Sequence, residues 1–185
     1  MTKKIFAAIA GLLVLGSLII ILGGTMKDKP ASNPPEKSTQ DLWKKVQKAE
    51  KDGLPQTAID VLKQIAAASR EQKHQGEYLR ALTRRLILES VIKGNKPEYR
   101  VNRLSEEIDK APADLRPMMK LVLAQWYWHY YSRNKWRFLN RTATEGLEEK
   151  DFTTWDLPKL FKEIDSLYVD ILKDDALLKK IPLAS

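Results

Sequence analysis

The side chains able to do chemistry are few, and their spacing argues against catalysis. There is no cysteine, which excludes disulfides, thiolate metal sites, cysteine nucleophiles and any Cys-derived thioester or lipid anchor. The two histidines are His74 and His129, too few for a multi-histidine metal centre. His74 stands among Gln72, Lys73 and Gln75 at an expected helix boundary and reads as a solvated surface residue. His129 lies inside Trp126-Tyr127-Trp128-His129-Tyr130-Tyr131. The sharper reading of that run is an aromatic cage for a cation or sugar. The plainer one, which the sequence favours, is core packing around a hydrogen-bonded imidazole. The acidic pairs Glu106-Glu107, Glu148-Glu149 and Asp174-Asp175 are sequential neighbours. Adjacent helix positions point about 100° apart, so none makes an acid/base dyad by itself. No nucleophile elbow, S-x-x-K site, phosphate loop, dinucleotide fingerprint or H-E-x-x-H motif is present. The sequence therefore gives no catalytic, cofactor-binding or metal-ligating residue, and no enzyme, cofactor or small-molecule substrate is expected. Asn140-Arg141-Thr142 fits a glycosylation sequon, a pattern common by chance.

The elements that carry these residues read as helices throughout. Ser38 or Thr39 is placed to cap a first helix bearing Leu42, Trp43, Val46 and Ala49, which ends at Asp52-Gly53. Pro55 suits the first turn of a second, striped by Ala58, Val61, Leu62, Ile65, Ala66 and Ser69. A third is expected from Gln75 to Ile92, stopped by Gly94-Asn95-Lys96-Pro97. A fourth carries Val101, Leu104, Ile108 and Ala111. The fifth starts between Pro112 and Pro117 and is apolar almost all round through Tyr131, the pattern of a central, fully buried helix. Residues 132–149 are irregular. Asp156 then caps a sixth helix, with Trp155 before it as a hydrophobic staple and Pro158 in its first turn. A short segment from Asp175 to Ile181 stops at Pro182. No alternating strand of useful length occurs. Helix pairs begin near 40, 75 and 112, so the fold class is all-α, antiparallel hairpins stacked as a tetratricopeptide-like array.

In front of this domain, residues 1–24 hold the uncharged run Ile5–Gly24 behind Lys3 and Lys4. Twenty residues in a helix span roughly 30 Å, the hydrocarbon thickness of a bilayer. With Leu22 where a cleavage site wants a small residue, an uncleaved signal anchor is preferred over a cleaved signal peptide. Its basic flank should remain cytoplasmic. The expectation is one transmembrane helix in the inner membrane and the bulk of the chain in the periplasm. Residues 25–40, with Pro30, Pro34 and Pro35, read as an extended linker, and residues 41–185 as the helical domain.

The net charge of +8 is unevenly spread. Between Lys63 and Arg103 there are ten basic and four acidic residues; between Glu145 and Asp175 there are ten acidic and four basic. Such a dipolar chain fits solvated helix faces, or one end docking on the other, better than a nucleic-acid binder, which keeps one sign on one face. A basic patch on anionic lipid is the remaining alternative.

Several segments resemble the N-terminal helical region of bacterial alpha-2-macroglobulin-like proteins. They are Trp43 with Gly53-Leu54-Pro55 and Ala58, Leu123-Ala124 through Tyr131, Asn140-Arg141-Thr142, and Thr153, Trp155 and Asp156 leading to Leu177 and Pro182-Leu183. The resemblance covers residues 41–185. It implies a region that precedes macroglobulin β-sandwich domains, which cage attacking proteases and in many members capture them through a thioester. This sequence ends at Ser185 before any such domain and has no cysteine, so no thioester residue carries over and the chain is expected to be a truncated or split piece of that system. Two functions then compete. One is a membrane-anchored, non-catalytic module that positions a protease-trapping protein. The other is an independent periplasmic tetratricopeptide-like adaptor that binds a peptide or protein.

Overall fold

A computed structural model describes residues 34–139 and 151–173, and all of the secondary structure among them is helical. The elements are α1 (Pro34–Lys51), α2 (Pro55–Glu71), α3 (Gln75–Ile92), α4 (Pro97–Lys110), α5 (Arg116–Arg133), the one-turn α6 (Lys135–Leu139), a 3₁₀ turn (Phe152–Thr154) and α7 (Leu157–Lys173). The expected transmembrane segment 1–24 lies outside the described residues, as do Asn140-Arg141-Thr142, Glu148-Glu149 and the segment 175–181 with its stop at Pro182. Among the described residues no helix is long and apolar enough to cross a membrane.

Most helix ends follow local chemistry. α1 closes on Gly53, whose φ of 70° suits a residue without Cβ. There Leu54 N–H donates to the Ala49 carbonyl at 2.8 Å and Gly53 N–H to that of Glu50 at 3.1 Å. This paired motif satisfies carbonyls that a helix end leaves open. α2 closes in the same way with Lys73 in the left-handed position at φ 59°, His74 N–H donating to the Ser69 carbonyl at 2.8 Å. Asp156 caps α7 by accepting the Lys159 N–H at 2.8 Å. α1 departs from expectation. It begins at Pro34, inside the segment read as linker, so Ser38 and Thr39 stand within the helix and not at its start. Prolines in a first turn lack only a donor that the helix leaves unpaired there, so Pro34-Pro35 starts a helix as readily as it extends a linker.

Buried side chains form two clusters. Val46 and Ala49 of α1, Ala58, Leu62 and Ile65 of α2 and Ala81 of α3 make the smaller. The larger gathers Leu82 and Leu86 of α3, Val101 and Leu104 of α4, Met119, Leu123 and Tyr127 of α5, Phe138, Phe152, Trp155 and the Leu160 stripe of α7. α3 serves both: Ala81 and Leu82, about 100° apart on the helix, face different cores. α5 is two-sided and not buried all round. Met119, Leu123, Ala124, Trp126, Tyr127 and Tyr130 point inward, while Leu121 and Trp128 remain 41% and 51% exposed.

Contacts fix the helix directions. Arg85 meets Glu107 and Glu89 meets Tyr99, so α3 and α4 are antiparallel. Arg100 covers Trp126 and Glu98 meets Tyr130, so α4 and α5 are antiparallel. Lys120 pairs with Asp170 at 3.1 Å and Trp128 stacks on Phe161, so α5 and α7 are antiparallel as well. α1 and α3 instead run in the same direction, since Trp43 meets Glu77 and Glu50 meets Arg84, each across 34 residues. The starts of α1, α3 and α5 fall 41 residues apart each time, longer than the rhythm the sequence suggested. The difference between 41 and 34 is two helical turns, by which α1 overhangs α3.

Candidate functional site

A surface cleft lies between the parallel helices α1 and α3. Their side chains enclose a cleft of about 350 Å³ with Trp43 and Gln47 on one wall and Arg80, Arg84 and Ile87 on the other. Each wall comes from a polar face at helical spacing. Trp43 and Glu50 are two turns apart on α1; Glu77, Arg80 and Arg84 fall on one side of α3.

The walls are tied by charge. The Trp43 indole N–H donates to Glu77 Oε1, and the Arg80 guanidinium lies 4.1 Å from the Trp43 ring centroid. An indole face attracts a cation through its quadrupole, so Trp43 holds both members of the Glu77/Arg80 pair. Arg84 donates from Nε to Glu50 Oε1 and from Nη2 to Glu50 Oε2, both at 2.7 Å. Those hydrogen bonds to Glu50 hold the Arg84 pKa above its ordinary value, against the opposing effect of burial. The cleft therefore offers an aromatic edge, two arginines and a short apolar floor at Val46 and Ile87. It contains no nucleophile paired with a base.

The residues singled out from sequence fall elsewhere. His74 is exposed at the residue preceding α3 and makes no side-chain cap. His129 is exposed, which corrects the core placement. It lies about 100° from Trp128 and 200° from Tyr127 on a helix whose buried face runs through Leu123, Tyr127 and Tyr130. The aromatic run is thus divided and forms no cage: Trp126, Tyr127 and Tyr130 join the core, and Trp128 lies outside against Phe161 and Tyr131. Burial, and secondarily the charge of Glu163, push the Tyr127 phenol well above its usual pKa. Glu107 lies 3.0 Å from Arg85 and Glu106 pairs with Arg103, so both carboxylates are engaged in ion pairs. Among the described residues, no three His, Asp or Glu side chains come together as a metal site. Trp155, expected as a staple, is buried 5.8 Å from Tyr127 in the core that also takes Leu160.

Sequence reasoning did not find Glu50, Glu77, Arg80 and Arg84. Their only signal is the two-turn spacing on two separate helices, and nothing local says that those faces meet. No protein-family model, curated protein or solved structure matches this chain.

Proposed function

We propose that this chain is a membrane-anchored, non-catalytic helical module of the tetratricopeptide-like kind, which works by holding a protein segment in the cleft between α1 and α3. The observation that carries the reading is the parallel α1/α3 pair at a 34-residue register, with Trp43, Arg80 and Arg84 lining the space between. Stacked hairpins bring alternate helices side by side in the same direction, and those helices line the binding groove of such arrays. The run Ile5–Gly24 serves as the anchor, and the domain works on the periplasmic side.

A photo-crosslinking residue at Gln47, on the exposed rim of the cleft, tests this in cells. A discrete crosslinked product is expected at Gln47, absent at the exposed control Lys110 and lost in Trp43→Ala. Equal products at both positions would remove the cleft from the proposal. Alkaline extraction should leave the chain in the membrane pellet, and protease added to spheroplasts should digest the domain.

The second reading makes the partner an alpha-2-macroglobulin-like protease trap. It rests on the sequence resemblance carried by Trp43 with Gly53-Leu54-Pro55, Leu123-Ala124 through Tyr131, and Thr153, Trp155 and Asp156. On this reading the Gln47 product contains β-sandwich domains encoded beside this chain; an independent adaptor yields some other envelope protein.

A further inference from the structure

The C-terminal end of α5 and the turn after it leave large apolar side chains in water. α6 is a single turn from which Phe138 fills the core, its ring 6.1 Å from Tyr130 and 5.8 Å from Tyr131. Trp136 and Leu139, three residues apart and so on one side of that turn, are 67% and 65% exposed. Through Phe138, Tyr131 connects this turn to a second exposed pair. Tyr131 lies 5.6 Å from Trp128 and 5.1 Å from Phe161, and those two rings stack on each other. Singly exposed apolar residues are ordinary, but four large ones gathered around one half-buried ring are not.

The same corner is basic. Arg133 and Lys135 are exposed, and neither forms an ion pair among the described residues. Arg137 lies 5.9 Å from the Trp136 ring centroid and reaches Glu98 at 3.9 Å. No Asp or Glu occurs from Arg133 to Leu139. Tryptophan beside arginine and lysine is a combination that settles at the headgroup level of a bilayer: the ring enters the boundary with the acyl chains while the cations meet lipid phosphates. Only residues 25–33 separate the run Ile5–Gly24 from α1, and they reach at most about 35 Å. A domain anchored by that run is therefore held within reach of the membrane.

We infer that the α5–α6 corner, Trp128, Trp136, Leu139 and Phe161 with Arg133 and Lys135, is a docking surface for the anionic phospholipid headgroups of the membrane that anchors the chain. The inference rests on the anchored reading of Ile5–Gly24 and not on the α1–α3 cleft.

The test reconstitutes the full chain in vesicles of phosphatidylglycerol brominated near the top of its acyl chains, or of equally brominated phosphatidylcholine, and reads the quenching of tryptophan fluorescence. Trp43 is the first tryptophan in the chain, so the anchor adds no signal. Quenching is expected in the anionic vesicles, and the larger part of it should vanish in Trp136→Phe. It should fall sharply in neutral vesicles and in high salt, because the attraction to an anionic surface is screened within a Debye length. Arg133→Gln and Lys135→Gln should each shift the balance of docked to undocked domain about fivefold, and the control Lys110→Gln should not. All four positions are exposed, so the variants should fold. Quenching that is unchanged in Trp136→Phe, or equal in the two lipids, overturns the surface; an unquenched Trp136 gives that face to a protein partner and overturns it as well. An alkaline wash, applied after quenching has been read, separates the two readings. A chain that washes off the vesicles has lost the anchor, and one that stays on without having been quenched has lost only the docking surface.

Discussion

The two ends of the described domain are held together by different means. Around α1, α2 and the first half of α3 the core is made of small and medium side chains, three alanines with Val46, Leu62 and Ile65. The helix directions there are pinned by polar contacts at the rim, Trp43 with Glu77 and Arg80, Glu50 with Arg84. Around α5 and α7 the core is aromatic. Tyr130 and Phe152 meet edge to face at 4.9 Å, Tyr127 and Phe152 at 5.2 Å, and Phe138 and Trp155 close the group. Large rings bury more area and prefer particular geometries, so they contribute stability and fix the packing together. A core of small residues contributes less and leaves its rim polar. The physical expectation is that the aromatic end is the more rigid of the two, while the small-residue end borders the α1–α3 cleft.

The sharpest way to break that contrast is Phe152→Ala. Phe152 is 1% exposed at the centre of the ring cluster, and its removal should cost about 3–5 kcal/mol in chemical denaturation. A loss below about 1 kcal/mol would mean the aromatic end is not the rigid one. The Tyr127 phenol makes the same end sensitive to base. Its pKa is raised by burial above the ordinary 10.0, so above about pH 10 the unfolded chain releases a proton that the folded one retains. Stability is then fully present below pH 10 and falls as pH rises, by at most about 1.4 kcal/mol per pH unit. Tyr127→Phe should flatten that slope in thermal melts taken from pH 9 to 11.

At the other end the expected effects are smaller. Lys73 adopts at the end of α2 the left-handed conformation that Gly53 adopts at the end of α1. Lys73→Gly should therefore stabilise by about 1 kcal/mol, read as a rise in the denaturation midpoint. No gain would show that the Lys73 side chain contributes something its backbone cost conceals. Last, Glu50 and Arg84 are bidentate but partly in water, the Arg84 side chain being 48% exposed. A double-mutant cycle should give a coupling of about 0.2–1 kcal/mol, shrinking in high salt. A coupling of several kcal/mol would make this pair as important to the fold as the rings and erase the contrast.

Local signals in the sequence were informative where the chemistry was local. Gly53-Leu54-Pro55, Gly94 through Pro97 and Asp156-Leu157-Pro158 mark boundaries that the structure keeps, because caps, left-handed turns and first-turn prolines act within a few residues. Pro34-Pro35 misled for the same reason: a proline pair is compatible with both a helix start and an extended chain, and composition alone does not choose. The run from Trp126 to Tyr131 misled differently. Every residue in it suits a core, but a helix turns each one to a different side, and α5 meets neighbours on only part of its circumference. His129 and Trp128 fall on the remainder.

The amino-acid sequence by itself determined that this domain is helical, roughly where each helix begins and ends, and which stripe of most helices avoids water. Hydrophobic periodicity and capping chemistry are properties of single segments. Only the tertiary structure decided that α1 and α3 lie side by side in one direction, that α3 divides itself between two cores, and that Trp128 and His129 fall outside the core that takes Tyr127 and Tyr130. Those outcomes depend on how far one helix slides past another. That slide is set by the summed packing of side chains from several segments, which no single stretch of sequence encodes.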